Sequence, residues 1–97
     1  MGRHHPVRRD ANHSEIVRTF EQLGCSVADT SGVGAGFADL LIGLCGVDIQ
    51  IEIKTPDGTL EPAQTTHHST WRGRHPAVVR SAQDCIELVQ RLRRTAR

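Results

Sequence analysis

Asp39, Glu52 and Lys54 are the residues of this 97-residue chain whose types and spacing could do chemistry together. Two carboxylates sharing a site repel by on the order of 4 kcal/mol at about 4 Å and an effective dielectric near 20, and a divalent cation removes that objection. Hard oxygen donors suit Mg²⁺, with Mn²⁺ as a substitute, and Mg²⁺ is usually held by one or two carboxylates while waters and substrate phosphates complete the shell. Such an ion polarises a phosphoryl oxygen and lowers the pKa of a bound water, and a nearby ammonium orients that water or stabilises the developing charge. Hydrolysis of a phosphodiester fits these parts.

The elements that must position these groups are written in the hydrophobic pattern. Val47, Ile49, Ile51 and Ile53 alternate with Asp48, Gln50, Glu52 and Lys54, the period of a half-buried strand. Asp39 to Leu44 is a second strand candidate, and Cys45-Gly46 between them is turn-like. In a symmetric hairpin Leu44 faces Val47, Ile42 faces Ile49 and Leu40 faces Ile51. A one-residue slip would set those apolar residues beside Asp48, Gln50 and Glu52, so the pattern selects its own register. Asp39 then lies opposite Glu52, with Cβ atoms roughly 4.5–5.5 Å apart. Lys54 follows on the same face, roughly 6.6 Å along the strand. After the turn cluster of residues 55–60 (TPDGTL), Glu61-Pro62 opens a helix expected over 61–71. Its first turn brings Gln64 back toward the end of the strand, within reach of the attacking water or a phosphate.

The remaining elements complete an α/β fold. Ile16, Val17, Phe20 and Leu23 predict a first helix over 11–23, with Asn12 and Glu15 as a capping box and Gly24 as its stop. Residues 25–29 form a short strand, and 30–36 (TSGVGAG) a glycine-rich loop. Ala77 to Val79 is a fourth strand, parallel to the third because the connection through 54–76 is long enough for a helical crossover. Ser81 and Asp84 cap a last helix over 82–93, whose Cys85, Leu88, Val89 and Leu92 form an apolar stripe. The order is α-β-β-β-α-β-α around a mixed four-stranded sheet. Residues 1–10 read as a basic flexible arm, 11–93 as a single domain and 94–97 as a basic tail.

A net charge of +1 conceals segregation: residues 1–20 carry four Arg and two acids, 21–70 one Lys and seven acids, and 71–97 seven Arg and two acids. Basic ends around an acidic centre suit an enzyme that attracts a polyanion despite its own carboxylates, and Arg8, Arg9, Arg72 and Arg74 are the candidate nucleic-acid contacts. Three Cys without a Cys-x-x-Cys pair make no closed disulfide framework, so Cys25, Cys45 and Cys85 are expected as buried thiols in a reduced, cytoplasmic protein. No apolar run approaches the roughly 20 residues of a membrane span. His67, His68 and His75 have no zinc-finger spacing, and exposed helical positions are expected for the first two.

Gly36-Phe37-Ala38-Asp39, Glu52-Ile53-Lys54 and Gly58-Thr59-Leu60 followed by Gln64 together resemble the PD-(D/E)XK nuclease superfamily, in its VRR-NUC type and a small stand-alone, phage-like form. The resemblance spans nearly all of residues 12–89. It implies a restriction-endonuclease-like core and a Mg²⁺-dependent endonuclease hydrolysing DNA. It also implies that Asp39, Glu52 and the Ile53 carbonyl are metal ligands, Lys54 the catalytic lysine, Gln64 a supporting amide and Glu15 an outer acid. Family members commonly have Pro where this chain has Ala38; that proline shapes backbone and does no chemistry. A domain this small covers little duplex, so a homodimer is expected, with branched DNA of the Holliday-junction kind as a substrate. The host cytoplasm is the expected location if the chain is phage-encoded. The alternatives are a noncatalytic nucleic-acid-binding module, or a nuclease subunit that works beside a helicase or other DNA-processing partner.

Overall fold

A computed structural model describes residues 7–96, with side chains over 12–96. Its elements in chain order are α1 (Val7–Gln22), β1 (Ser26–Asp29), β2 (Leu40–Leu44), β3 (Val47–Ile53), α2 (Pro62–Thr70), β4 (Ala77–Val79) and α3 (Ala82–Thr95). This is the expected order. The strands lie side by side as β1-β2-β3-β4, antiparallel at the first two junctions and parallel between β3 and β4. The β2–β3 register pairs Leu40 with Ile51, Ile42 with Ile49 and Leu44 with Val47, as the apolar alternation requires. Cys45 and Gly46 both have positive φ, 57° and 76°, so the hairpin closes through a two-residue turn of the I′ kind whose twist matches the strands.

One face of this sheet carries the core. Leu40, Ile42, Ile49, Ile51, Ile53 and Val79 pack there against Ile16 and Phe20 of α1 and Cys85, Leu88, Val89 and Leu92 of α3. At the start of α3 the Ser81 hydroxyl accepts a hydrogen bond from Asp84 N at 3.2 Å, and the Asp84 carboxylate accepts from Arg80 N at 2.8 Å, so both orphan donors are satisfied.

Several expectations need correction. Helix α1 begins at Val7, so the end of the expected basic arm is helical; residues 1–6 lie outside the described residues, as does Arg97. Asn12 is therefore inside α1 and caps nothing: its side-chain amide donates to the Lys54 carbonyl at 3.4 Å. Helix α3 runs to Thr95 and takes in part of the expected tail. Strand β3 is not half-buried, because Gln50 and Glu52 on its polar face are 3% and 1% exposed beneath α2. His68 is buried, its ring edge-on to His75, and His67 is half-buried against Gln50 of that polar face, whereas Cys45 is exposed at the hairpin tip.

Candidate active site

Glu52 anchors the site from the C-terminal end of β3. Its Oε2 accepts a hydrogen bond from Gln64 Nε2 at 2.9 Å and lies 4.0 Å from Lys54 Nζ. Gln64 Oε1 accepts from Glu61 N at 2.9 Å, which fixes the orientation of the amide: its carbonyl closes the first turn of α2 and its NH₂ faces the carboxylate. Asp39, 7% exposed, stands just ahead of β2, where continuation of the register sets it opposite Glu52. Its Oδ2 accepts from Ile53 N at 2.8 Å. A residue's N–H and C=O leave a strand on the same edge, so the Ile53 carbonyl also points toward the Asp39 side. Lys54 continues the β3–β4 ladder by donating its N–H to Val79 O at 3.0 Å.

Two loops hold this arrangement. Residues 30–39 are tied at both ends, with Thr30 N donating to Asp39 O and Thr30 Oγ1 to Ala38 O, each at 2.8 Å. Gly36, at φ 81°, lets that loop close on α2: a Cβ there would sit 2.3 Å from Ala63 O. The turn after β3 is held by Arg80, whose guanidinium donates to Thr55 O at 2.9 Å and also to Gly58 O.

The structure thus gathers Asp39, Glu52, Ile53, Lys54 and Gln64. Glu15 is exposed on α1, and no hydrogen bond joins its carboxylate to that group among the described residues. Arg72 and Arg74 are exposed just beyond α2, while the Arg8 and Arg9 side chains lie outside the described residues. Arg80, Gln50 and the two histidines were not expected here. Gln50 shares the face of Glu52 and its Oε1 is 2.7 Å from His67 Nε2, one helical turn beyond Gln64. That spacing was a readable signal; the role of Arg80 was not, because it depends on β4 lying beside β3. Burial, foremost, holds the His68 imidazole below its ordinary pKa, followed by the charges of His75, His67 and Lys54.

Among the described residues no group of three or more His, Cys, Asp and Glu side chains forms a metal cage. A two-carboxylate site with a backbone carbonyl beside it instead has the donor chemistry of a hard cation that takes its other oxygens from water and phosphate. The residues present fit such an ion.

No family model and no curated protein matches the sequence. A solved structure of a VRR_NUC domain matches the fold with a TM-score of 0.73 and 28% sequence identity, over 88% of this chain and 97% of that one. With the element order, the four-stranded sheet and nearly the whole of that domain shared, the chain has the fold of a VRR_NUC domain and is similar to it along most of its length.

Proposed function

We propose that this protein is a metal-dependent endonuclease that hydrolyses DNA phosphodiester bonds, with Mg²⁺ as the resident ion and Mn²⁺ as a substitute. The observation that carries this reading is a buried carboxylate, Glu52, bonded to Gln64, approached by Lys54 at 4.0 Å and set in register with the buried Asp39. Burying carboxylates this deeply costs several kcal/mol unless charge is returned to them, and the Lys54 ammonium is one group placed to return it.

Asp39, Glu52 and the Ile53 carbonyl would hold the ion, which supplies a Lewis acid and a water of lowered pKa. Lys54 faces the space beside Glu52, where its ammonium orients the nucleophilic water and counters the negative charge that builds on the phosphoryl oxygens. Gln64 fixes the Glu52 carboxylate through its NH₂ while its carbonyl is committed to the helix, so it acts as a positioning residue. Glu15 would act as an outer acid through bound water. A domain of this size covers little duplex, so two-strand cutting and branched junctions call for a homodimer, and a helicase or similar DNA-processing partner fits the same role.

Cleavage of supercoiled, linear, flap and four-way DNA with Mg²⁺ or Mn²⁺ tests the reading, with RNA as comparator. Nicking is expected to vanish on chelation and in Asp39→Asn. In Lys54→Ala it falls by about 10²–10³-fold, the effect of removing one group that stabilises developing charge. Salt-sensitive binding with no cutting in either metal, unchanged by these substitutions, would instead mark a noncatalytic binding module.

A further inference from the structure

The chain has a single Trp, two Phe and no Tyr. Phe20 is fully buried in the core, yet half-buried Phe37 and exposed Trp71 meet outside it, Phe37 only two residues from Asp39. Phe37 and Trp71 stand edge to face with ring centroids 5.8 Å apart, and His67 lies 5.1 Å from Phe37 and 5.2 Å from Trp71. Trp71 remains 46% exposed. A domain this poor in aromatics would gain more by burying its indole, so surface placement needs another reason.

The three rings are held from separate directions. Phe37 is two residues ahead of Asp39, on the loop that Gly36 allows against α2. His67 is fixed by its 2.7 Å contact with Gln50. Trp71 ends α2 with its N–H on His67 O at 3.0 Å, and its indole edge passes over Gly73, where a Cβ would lie 2.8 Å from Nε1. Arg72 and Arg74 are exposed on the segment that follows Trp71.

We propose that Phe37, His67 and Trp71 form a stacking platform for an unpaired base of the DNA strand being cut, an inference that rests on the nuclease reading of the neighbouring site. The occupant follows from continuity and charge. The platform adjoins the carboxylate pair through Phe37 and Gln50, and two exposed arginines, Arg72 and Arg74, follow Trp71 within three residues, as a polyanion carrying flat apolar rings requires. A base inside a duplex is already stacked on both faces, so only an unpaired one can settle there. Gln64 and Trp71 are about 10 Å apart along the helix, about three stacked nucleotides at 3.4 Å each. The platform therefore favours strands that leave their duplex within a few nucleotides of the cut, as at flaps and junction arms.

Because Trp71 is the sole indole, its fluorescence reports directly on stacking, and chelator prevents cutting during the titration. A short single strand and a duplex with an unpaired tail are expected to quench it to saturation, and a blunt duplex to leave it nearly unchanged. A single abasic residue walked along the strand should abolish quenching at one position and weaken binding there by about tenfold. Phe37→Leu and Trp71→Leu should weaken single-strand binding similarly, by anisotropy, and the abasic residue should then add nothing. No quenching at low salt, indifference to every abasic position, or losses that add would overturn the proposal. Cleavage measured in parallel separates the two readings. Quenching without metal-dependent cutting leaves the platform standing and removes the nuclease; cutting without any effect of the abasic walk does the reverse.

Discussion

His68 is the histidine whose chemistry is most constrained by its surroundings. It is 6% exposed, and its Nε2 is buried without a hydrogen-bond partner among the described residues. An imidazole so placed stays neutral, and the charges of His75, His67 and Lys54 reinforce the effect of burial. The folded protein therefore holds this proton less tightly than the unfolded chain does, and between the two pKa values the unfolded state binds more protons. Stability is then retained above the ordinary value of 6.5 and lost as pH falls from there through the depressed folded value. His68→Leu, of similar volume, removes both the titration and the orphaned nitrogen. The melting temperature of the wild type is expected to drop more steeply on acidification across that window than that of His68→Leu, with the two curves converging above it. Equal slopes in thermal denaturation followed by circular dichroism would show that His68 contributes nothing to acid sensitivity. Cys85 illustrates the opposite direction for an acid: burial, chiefly, pushes its thiol up to about 12, so it stays protonated and inert.

At the scale of elements, the active face depends on one loop approaching α2 more closely than a side chain permits. Gly36 and Gly34 have nearly the same backbone, φ 81° and 82°, but a Cβ at Gly34 meets nothing within 4 Å whereas one at Gly36 collides with Ala63 O. Gly34→Ala should therefore carry only the left-handed backbone cost of about 1–2 kcal/mol. Gly36→Ala adds displacement of the loop from α2, about 1–3 kcal/mol more, with a further fall of roughly 4–8 °C per kcal/mol in a domain this size. It should also lower cleavage, since Phe37 and Asp39 move with the loop; matched melting temperatures for the two variants would refute the close approach. The β2–β3 register was legible in the sequence because a one-residue slip sets Leu40, Ile42 and Leu44 against Glu52, Gln50 and Asp48, and the two-residue Cys45-Gly46 turn fixes the rest. The start of α1 was not. Asn12 and Glu15 have cap spacing, yet no Gly or Pro separates them from Val7, and helix extends upstream to that residue. Nor could periodicity reveal that α2 covers the polar face of β3. Gln50, Glu52, Gln64 and His67 meet there, all polar, joined by specific hydrogen bonds that no hydrophobic pattern records.

For the whole molecule, the question is which of the Arg residues clustered toward the C-terminus remain available to a polyanion. Of the seven within residues 71–97, Arg80 is spent on the Thr55 and Gly58 carbonyls and Arg93 donates to Leu23 O at 2.6 Å, closing α3 against the end of α1. Arg72 and Arg74 are exposed on the segment that follows Trp71, and no hydrogen bond or ion pair ties up either guanidinium among the described residues, so their charge is open to DNA. Each phosphate neutralised releases counterions, and the slope of log binding constant against log salt changes by about 0.9 per contact on duplex and about 0.7 on single strands. Arg72→Ala and Arg74→Ala should thus each shallow that slope by nearly one contact and weaken binding evenly across sequences. Arg80→Ala should behave differently: its slope stays at the wild-type value while the turn between Lys54 and α2 loosens and cleavage declines. Titrations of chelated protein at several salt concentrations, read by anisotropy with labelled DNA, distinguish these outcomes. If Arg80→Ala shallows the slope as much as Arg72→Ala does, charge on this surface acts collectively, and the separation of structural from DNA-facing arginines is wrong.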